Sequence, residues 1–139
     1  MQQLPLLIRL KHDEVERLSS ERAALERTLG ELRVALGGLE QEWLQEEQFV
    51  SQHDPDMMTF EVLDHYRSMN IAKKEALLAE ISETTLYLEK KMEDLQEAFA
   101  DLKRYEYIEQ EQLTKAAKEA LLAETKLLDE IGGQLSRDE

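Results

Sequence analysis

Residues 50–60 read VSQHDPDMMTF, and this is where an otherwise persistent recurrence of leucines and charges at helical spacing lapses. Asp54-Pro55 within it reads as a helix start. An Asp N-cap accepts backbone N–H bonds, and Pro at the first helical position gives up only a donor that has no intrahelical partner. Asp56 in the first turn suits the helix dipole. The same proline breaks any helix that tries to run through it. Two helical segments therefore meet at a turn over about 52–55, which is how an antiparallel helical hairpin closes.

Working outward, the upstream segment carries a seam at steps of 3 and 4: Leu4, Ile8, Lys11, Val15, Leu18, Arg22, Leu25, Leu29, Leu32, Leu36, Leu39, Trp43, Glu46 and Val50. Downstream a second seam runs Ile71, Lys74, Leu78, Ile81, Thr85, Leu88, Met92, Leu95, Phe99 and Leu102. It weakens at Glu106 and Glu109 and resumes as Leu113, Ala116, Ala120, Ala123 and Leu127, with a competing row of Leu121, Leu128, Ile131 and Leu135. This period of 3.5 residues is that of a coiled-coil seam, and the second row marks a drift of register.

The spacing predicts an all-α chain: one long antiparallel two-helix coiled-coil hairpin forming a single domain. Helix 1 spans about 4–51, and helix 2 about 55–131 with a short tail. With the turn near 54, residue i faces roughly residue 109 − i, so Leu4 meets the neighbourhood of Tyr105. Gly132-Gly133 supplies the stop for helix 2. About 25 residues of the C-terminal helix then overhang the hairpin, roughly 37 Å at 1.5 Å per residue. Ile108, Leu121, Leu122, Leu127, Leu128 and Ile131 lie in that overhang, and they need another copy, another protein, or the freedom of a tail.

Composition agrees with this class. Charged residues make up 35% and aromatic ones 6% of the 139-residue chain, a balance of coiled coils rather than of packed multilayer globules. There is no cysteine, so neither disulfides nor thiolate metal sites are available. The opening MQQLPLLIRLKHDEVERL has no signal-peptide pattern, and no run of apolar residues is long enough to span a membrane. A cytoplasmic location is expected.

The charge is unevenly spread. Residues 1–33 hold six basic and six acidic side chains, 34–66 hold eight acids without Lys or Arg, and 67–139 hold eleven bases against seventeen acids. Phosphate neutralisation needs clustered bases, so nucleic acid is not an expected partner. A basic protein surface suits the acidic third.

Chemistry-bearing constellations are thin. His53, Asp54, Asp56, Glu61 and His65 cluster near the turn, but a helix cap and solvated acids account for them without metal-ligand spacing. No phosphate-cradling loop is present, and two helices enclose no cleft to perturb a catalytic carboxylate. The expectation is a non-enzyme without cofactor or metal. Near the turn Trp43, Leu44, Phe49, Val50, Met57, Met58, Phe60, Val62, Leu63, Tyr66 and Met69 exceed what one seam hides. They read either as a locally fatter core or as an adaptable contact surface among acids. Gly30, Gly37 and Gly38 mark a bend or the close approach of a third backbone.

Three stretches carry a resemblance: LIRLKHDEVERLSSERAALE at 7–26, the Asp-Pro turn, and AFADLKRYEYIEQEQLTKAAKEALLAETKLLDE at 98–130. Together they resemble the FliJ family of flagellar type III export proteins over nearly the whole chain. The resemblance implies a stalk that enters and activates the hexameric flagellar export ATPase. It also implies contacts with the membrane export gate and with export chaperones, and a peripheral place on the inner membrane at the flagellar base. On that basis Lys103, Arg104, Tyr105, Glu106, Lys115 and Lys118 are expected to face the ATPase ring. Trp43, Phe49, Met57, Phe60 and Tyr66 are expected to face the gate or a chaperone. The equivalent stalk of a virulence secretion system, or a self-associating coiled-coil scaffold, fits the same pattern.

Overall fold

A computed structural model describes residues 3–52 and 57–137, with the backbone alone for 57–59. All of it is helical. Helix α1 spans Gln3–Gln52 and helix α2 spans Met57–Arg137, and the two pack against each other as an antiparallel hairpin. The proposed cap and turn, with His53, Asp54, Pro55 and Asp56, lie outside the described residues. Pro5 sits in the first turn of α1, where its missing donor is harmless.

The contacts fall into two compact units: Glu16–Leu95, and Met1–Val15 with Gln96–Glu139. In the first, Asn70 Nδ2 donates to the Leu39 carbonyl at 3.2 Å, and the Trp43 and Tyr66 rings stack with centroids 6.3 Å apart. Both pairs have residue numbers that sum to 109, the pairing expected from a turn near 54. Lys91 Nζ donates to Glu21 Oε2, and Lys74 Nζ lies 3.4 Å from Glu40 Oε1. Leu18 and Leu29 are its buried apolar side chains. In the second unit Lys11 Nζ bridges Asp101 Oδ2 at 3.4 Å, and Ala98 and Leu102 are buried.

The α1 seam is as expected at every position named for it except Glu46, which is exposed. The α2 seam is not. Lys74, Ile81, Thr85, Leu88, Leu95 and Leu102 are half-buried or buried as expected. The alternate positions fall one residue earlier, however, at Asn70, Leu77, Thr84, Lys91, Ala98, Tyr105 and Gln112. Ile71, Leu78, Met92 and Phe99, expected in the seam, are 50%, 46%, 37% and 49% exposed. The polar members of the observed column explain the choice within Glu16–Leu95. Asn70 and Lys91 there make cross-helix bonds that Ile71 and Met92 cannot make.

Helix α2 also runs through Gly132 and Gly133, neither with positive φ, to Arg137. The expected stop after Ile131 is therefore replaced by a longer helix. A terminating glycine must turn left-handed, and these keep helical geometry. Among the described residues no polar or charged side chain is buried, and no helix is long and apolar enough to cross a membrane.

Two outcomes follow from this register. Leu88→Asp places a charge on the seam and should cost roughly 2–4 kcal/mol, whereas Met92→Asp should cost no more than about 1 kcal/mol. Urea unfolding followed by circular dichroism separates them, and equal losses would mean that α2 faces α1 differently. Hydrogen bonds from Lys91 and Arg17 hold the Glu21 carboxyl below its ordinary value of 4.5. A lowered carboxyl contributes stability that is present above 4.5 and is lost as pH falls through the folded-state value. The gap in melting temperature between wild type and Glu21→Gln should therefore narrow as the solution is acidified below 4.5, and a gap that does not narrow on acidification would refute the pairing.

Candidate functional site

Within Glu16–Leu95, the α1 end nearest the turn and the start of α2 assemble an aromatic cluster. The Trp43 and Tyr66 rings lie within 15° of parallel, and the Arg67 guanidinium carbon sits 4.8 Å from the Trp43 centroid. Trp43, Glu47, Arg67, Asn70, Ile71 and Lys74 line a shallow groove beside it. Desolvation, then the nearby charges of Glu42 and Glu46, raise the Tyr66 hydroxyl above its usual pKa, so it stays a neutral donor at physiological pH.

Around the cluster Leu44, Phe49, Phe60 and Val62 are 51–67% exposed. Large apolar side chains this exposed, set among acids, form a surface able to hold a partner that is apolar and basic. Trp43, Tyr66, Phe49 and Phe60 were the residues expected to carry such contacts. The structure joins the first two directly and leaves the other two outward-facing. Met57 lies outside the described side chains. Arg67 was not anticipated, although it stands one heptad before Lys74 on the same column, and that spacing was the available signal.

In the unit of Met1–Val15 with Gln96–Glu139, the residues expected to meet an ATPase ring do not form one patch. Lys103 Nζ lies 3.9 Å from Glu106 Oε2 and 5.2 Å from the Phe99 ring centroid. Arg104 Nη1 is 3.5 Å from Asp101 Oδ1. Tyr105 is half-buried on the seam side. Lys115 and Lys118 are exposed further along, and Lys118 is fourteen residues past Arg104, about 21 Å along the helix. These two lysines share a shallow surface with Gln110, Glu111 and Thr114.

The start of α1 ends beside this part of α2. Leu4 and Pro5 line a groove with Glu109, Gln112, Leu113, Lys115, Ala116 and Glu119. Beyond Glu119 every described residue of α2 is exposed except Gly133, which is half-buried. Leu121, Leu122, Leu127, Leu128, Ile131 and Leu135 are 45–69% exposed there. The unpaired length runs from 120 to 137, roughly 27 Å.

No family model matches the chain, and neither a curated protein nor a solved structure matches it.

Of the constellation near the turn, Glu61 and His65 are exposed, and its other members lie outside the described residues. Removing the cation above the only tryptophan should register directly. Arg67→Ala should shift Trp43 emission to the red and cost about 0.5–1 kcal/mol in thermal unfolding. Unchanged emission would mean that the guanidinium does not rest on the ring.

Proposed function

We propose that the chain is a non-enzymatic component of the bacterial flagellar type III export apparatus, a stalk that inserts into the hexameric export ATPase and activates it. The observation that carries this reading is the unpaired length of α2 beyond Glu119, with its exposed leucines and no partner helix from α1 among the described residues. An amphipathic helix at the end of a two-helix body can be enclosed by a ring through many shallow apolar contacts. Lys115, Lys118 and Lys126 add charge for steering. The resemblance of residues 98–130 to the FliJ family supplies the identity of the ring.

The second surface links the ATPase to the export gate and to substrate chaperones. Trp43, Phe49, Phe60 and Tyr66 provide apolar and aromatic contact there, and Glu40, Glu42, Glu46, Glu47, Glu61 and Asp64 attract a basic partner. The protein works at the cytoplasmic face of the inner membrane, held there by its partners. It supports flagellum assembly and motility without chemistry of its own.

Truncation after Glu119 removes the unpaired length and leaves intact everything that the start of α1 touches. The truncated protein should keep its helical circular dichroism, fail to stimulate the cognate export ATPase, and leave cells unable to spread in soft agar. Stimulation by the full chain should also weaken with added salt, because exposed lysine contacts are screened beyond about 8 Å at physiological ionic strength. A truncated chain that stimulates as well as the full one would refute this placement of the ring.

A further inference from the structure

The column Ile71, Leu78, Thr85 and Met92 has the heptad spacing of a seam and is more apolar than Asn70, Leu77, Thr84 and Lys91, yet the latter is half-buried throughout, while Ile71, Leu78 and Met92 are exposed and only Thr85 is half-buried. Within Glu16–Leu95, α2 thus carries two seams that share Lys74, Ile81 and Leu88, and α1 occupies only one. Helices with two overlapping seams offset by a residue are those that touch two neighbours at once.

A second observation points to the same face. Ile71 lines the groove that also holds Glu47, and Lys74 pairs with Glu40, so α1 presents Arg33, Glu40 and Glu47 on the side of Ile71. Gly30 and Gly37 lie three residues before Arg33 and Glu40, hence on this side too. A Cβ added at either would meet nothing within 4 Å. The hairpin itself gives no reason for glycine at these positions, where it is the least favourable residue after proline. A backbone lying alongside would give one. By the pairing sums of 109 to 114, Gly37 is level with residues 72–77 and Gly30 with 79–84, so the two flank Leu78.

We propose that this face takes a third helix from a partner protein, apolar along its seam and basic along the edge that lies over α2. Charge selects that occupant. Glu75 and Glu89 border the apolar column two heptads apart, both exposed and without an ion pair among the described residues. Lys or Arg on the incoming helix pairs with them, while an acid on its other edge suits Arg33. A second copy fits poorly, because pairing the column with itself antiparallel about Ser82 brings Glu75 of each copy level with Glu89 of the other. The surface is separate from the unpaired end of α2 and does not depend on the export reading.

The probe is a synthetic peptide of about four heptads, Leu at the core positions and Lys at the flanks, with a Glu-flanked counterpart as control. Binding to the full chain is read by fluorescence anisotropy. The Lys peptide should bind, and Leu78→Glu should weaken it roughly tenfold or more. Tyr87→Glu, exposed on another face, should change it by no more than about twofold. Glu75→Lys with Glu89→Lys, both at exposed positions, should transfer preference to the Glu peptide. Gly30→Ala with Gly37→Ala should raise the melting temperature by roughly 4 °C or more while weakening the peptide.

Three results would overturn the proposal. One is equal effects of Leu78→Glu and Tyr87→Glu, or no binding at all. Another is equal binding of the two peptides to the unaltered chain. The third is a dimer of the free chain, seen by sedimentation, that Leu78→Glu dissolves, since a second copy would then be the occupant.

Discussion

The Asn70 amide on the Leu39 carbonyl, at 3.2 Å, is the constraint on which the pairing of residues 16–95 depends. A repeating apolar seam can slide by a heptad at little cost, because one leucine layer resembles the next. A polar side chain at a seam position satisfies its donor only in one setting, so it specifies register at some expense of stability. With Asn70 set against Leu39, Lys91 comes within reach of Glu21, and Lys74 within reach of Glu40. Those pairs are partly exposed and individually weak. Their value lies in agreeing with one another, since a slipped register would break them together.

The antiparallel hairpin, and its pairing at Leu39–Asn70 and Trp43–Tyr66, were legible in the sequence from leucines at steps of 3 and 4 on either side of one break. The α1 seam could be read residue by residue since its leucines have no rival column. In α2 the reading by apolar content selected Ile71, Leu78, Met92 and Phe99. The fold instead turns Asn70, Thr84, Lys91 and Ala98 inward. Periodicity weighs side chains singly. It does not register that Lys91 has Glu21 waiting opposite.

The same limit applies to the candidate surfaces. Trp43 and Tyr66 could be paired by number, but that Arg67 caps the ring depends on the direction in which a side chain leaves the helix. Helix α2 passing through Gly132 and Gly133 was likewise invisible, because a glycine pair reads as a stop wherever the backbone is free to take one.

Two helices share too little surface to seal a core. Only Leu18, Leu29, Ala98 and Leu102 are buried among the described residues. Apolar side chains left outside are therefore expected, and their arrangement is the informative part. Many of them lie beyond Glu119, around the Trp43 cluster, and along Ile71, Leu78 and Met92, and others are spread along both helices, at Leu6, Leu10, Val34 and Tyr107 among them. Two of these regions differ in charge. The sequence between 34 and 66 is acidic throughout, while Lys115, Lys118 and Lys126 punctuate the far end.

The antiparallel pairing also sets the order in which the chain folds. The Asn70–Leu39 contact closes a separation of 31 residues and the Lys91–Glu21 contact one of 70. Loop-closure entropy grows only with the logarithm of length, so forming the second contact directly costs less than about 1 kcal/mol more than forming the first. Once the nearer contact exists, however, each further layer closes only a few additional residues and brings its own leucines together. The hairpin therefore zips from the turn outward, and α1 near Glu21 is the last part of Glu16–Leu95 to be captured and the first to be released. Backbone amides should follow that gradient in hydrogen exchange, slowest toward Leu39 and faster toward Leu18, although Leu18 is among the most buried side chains.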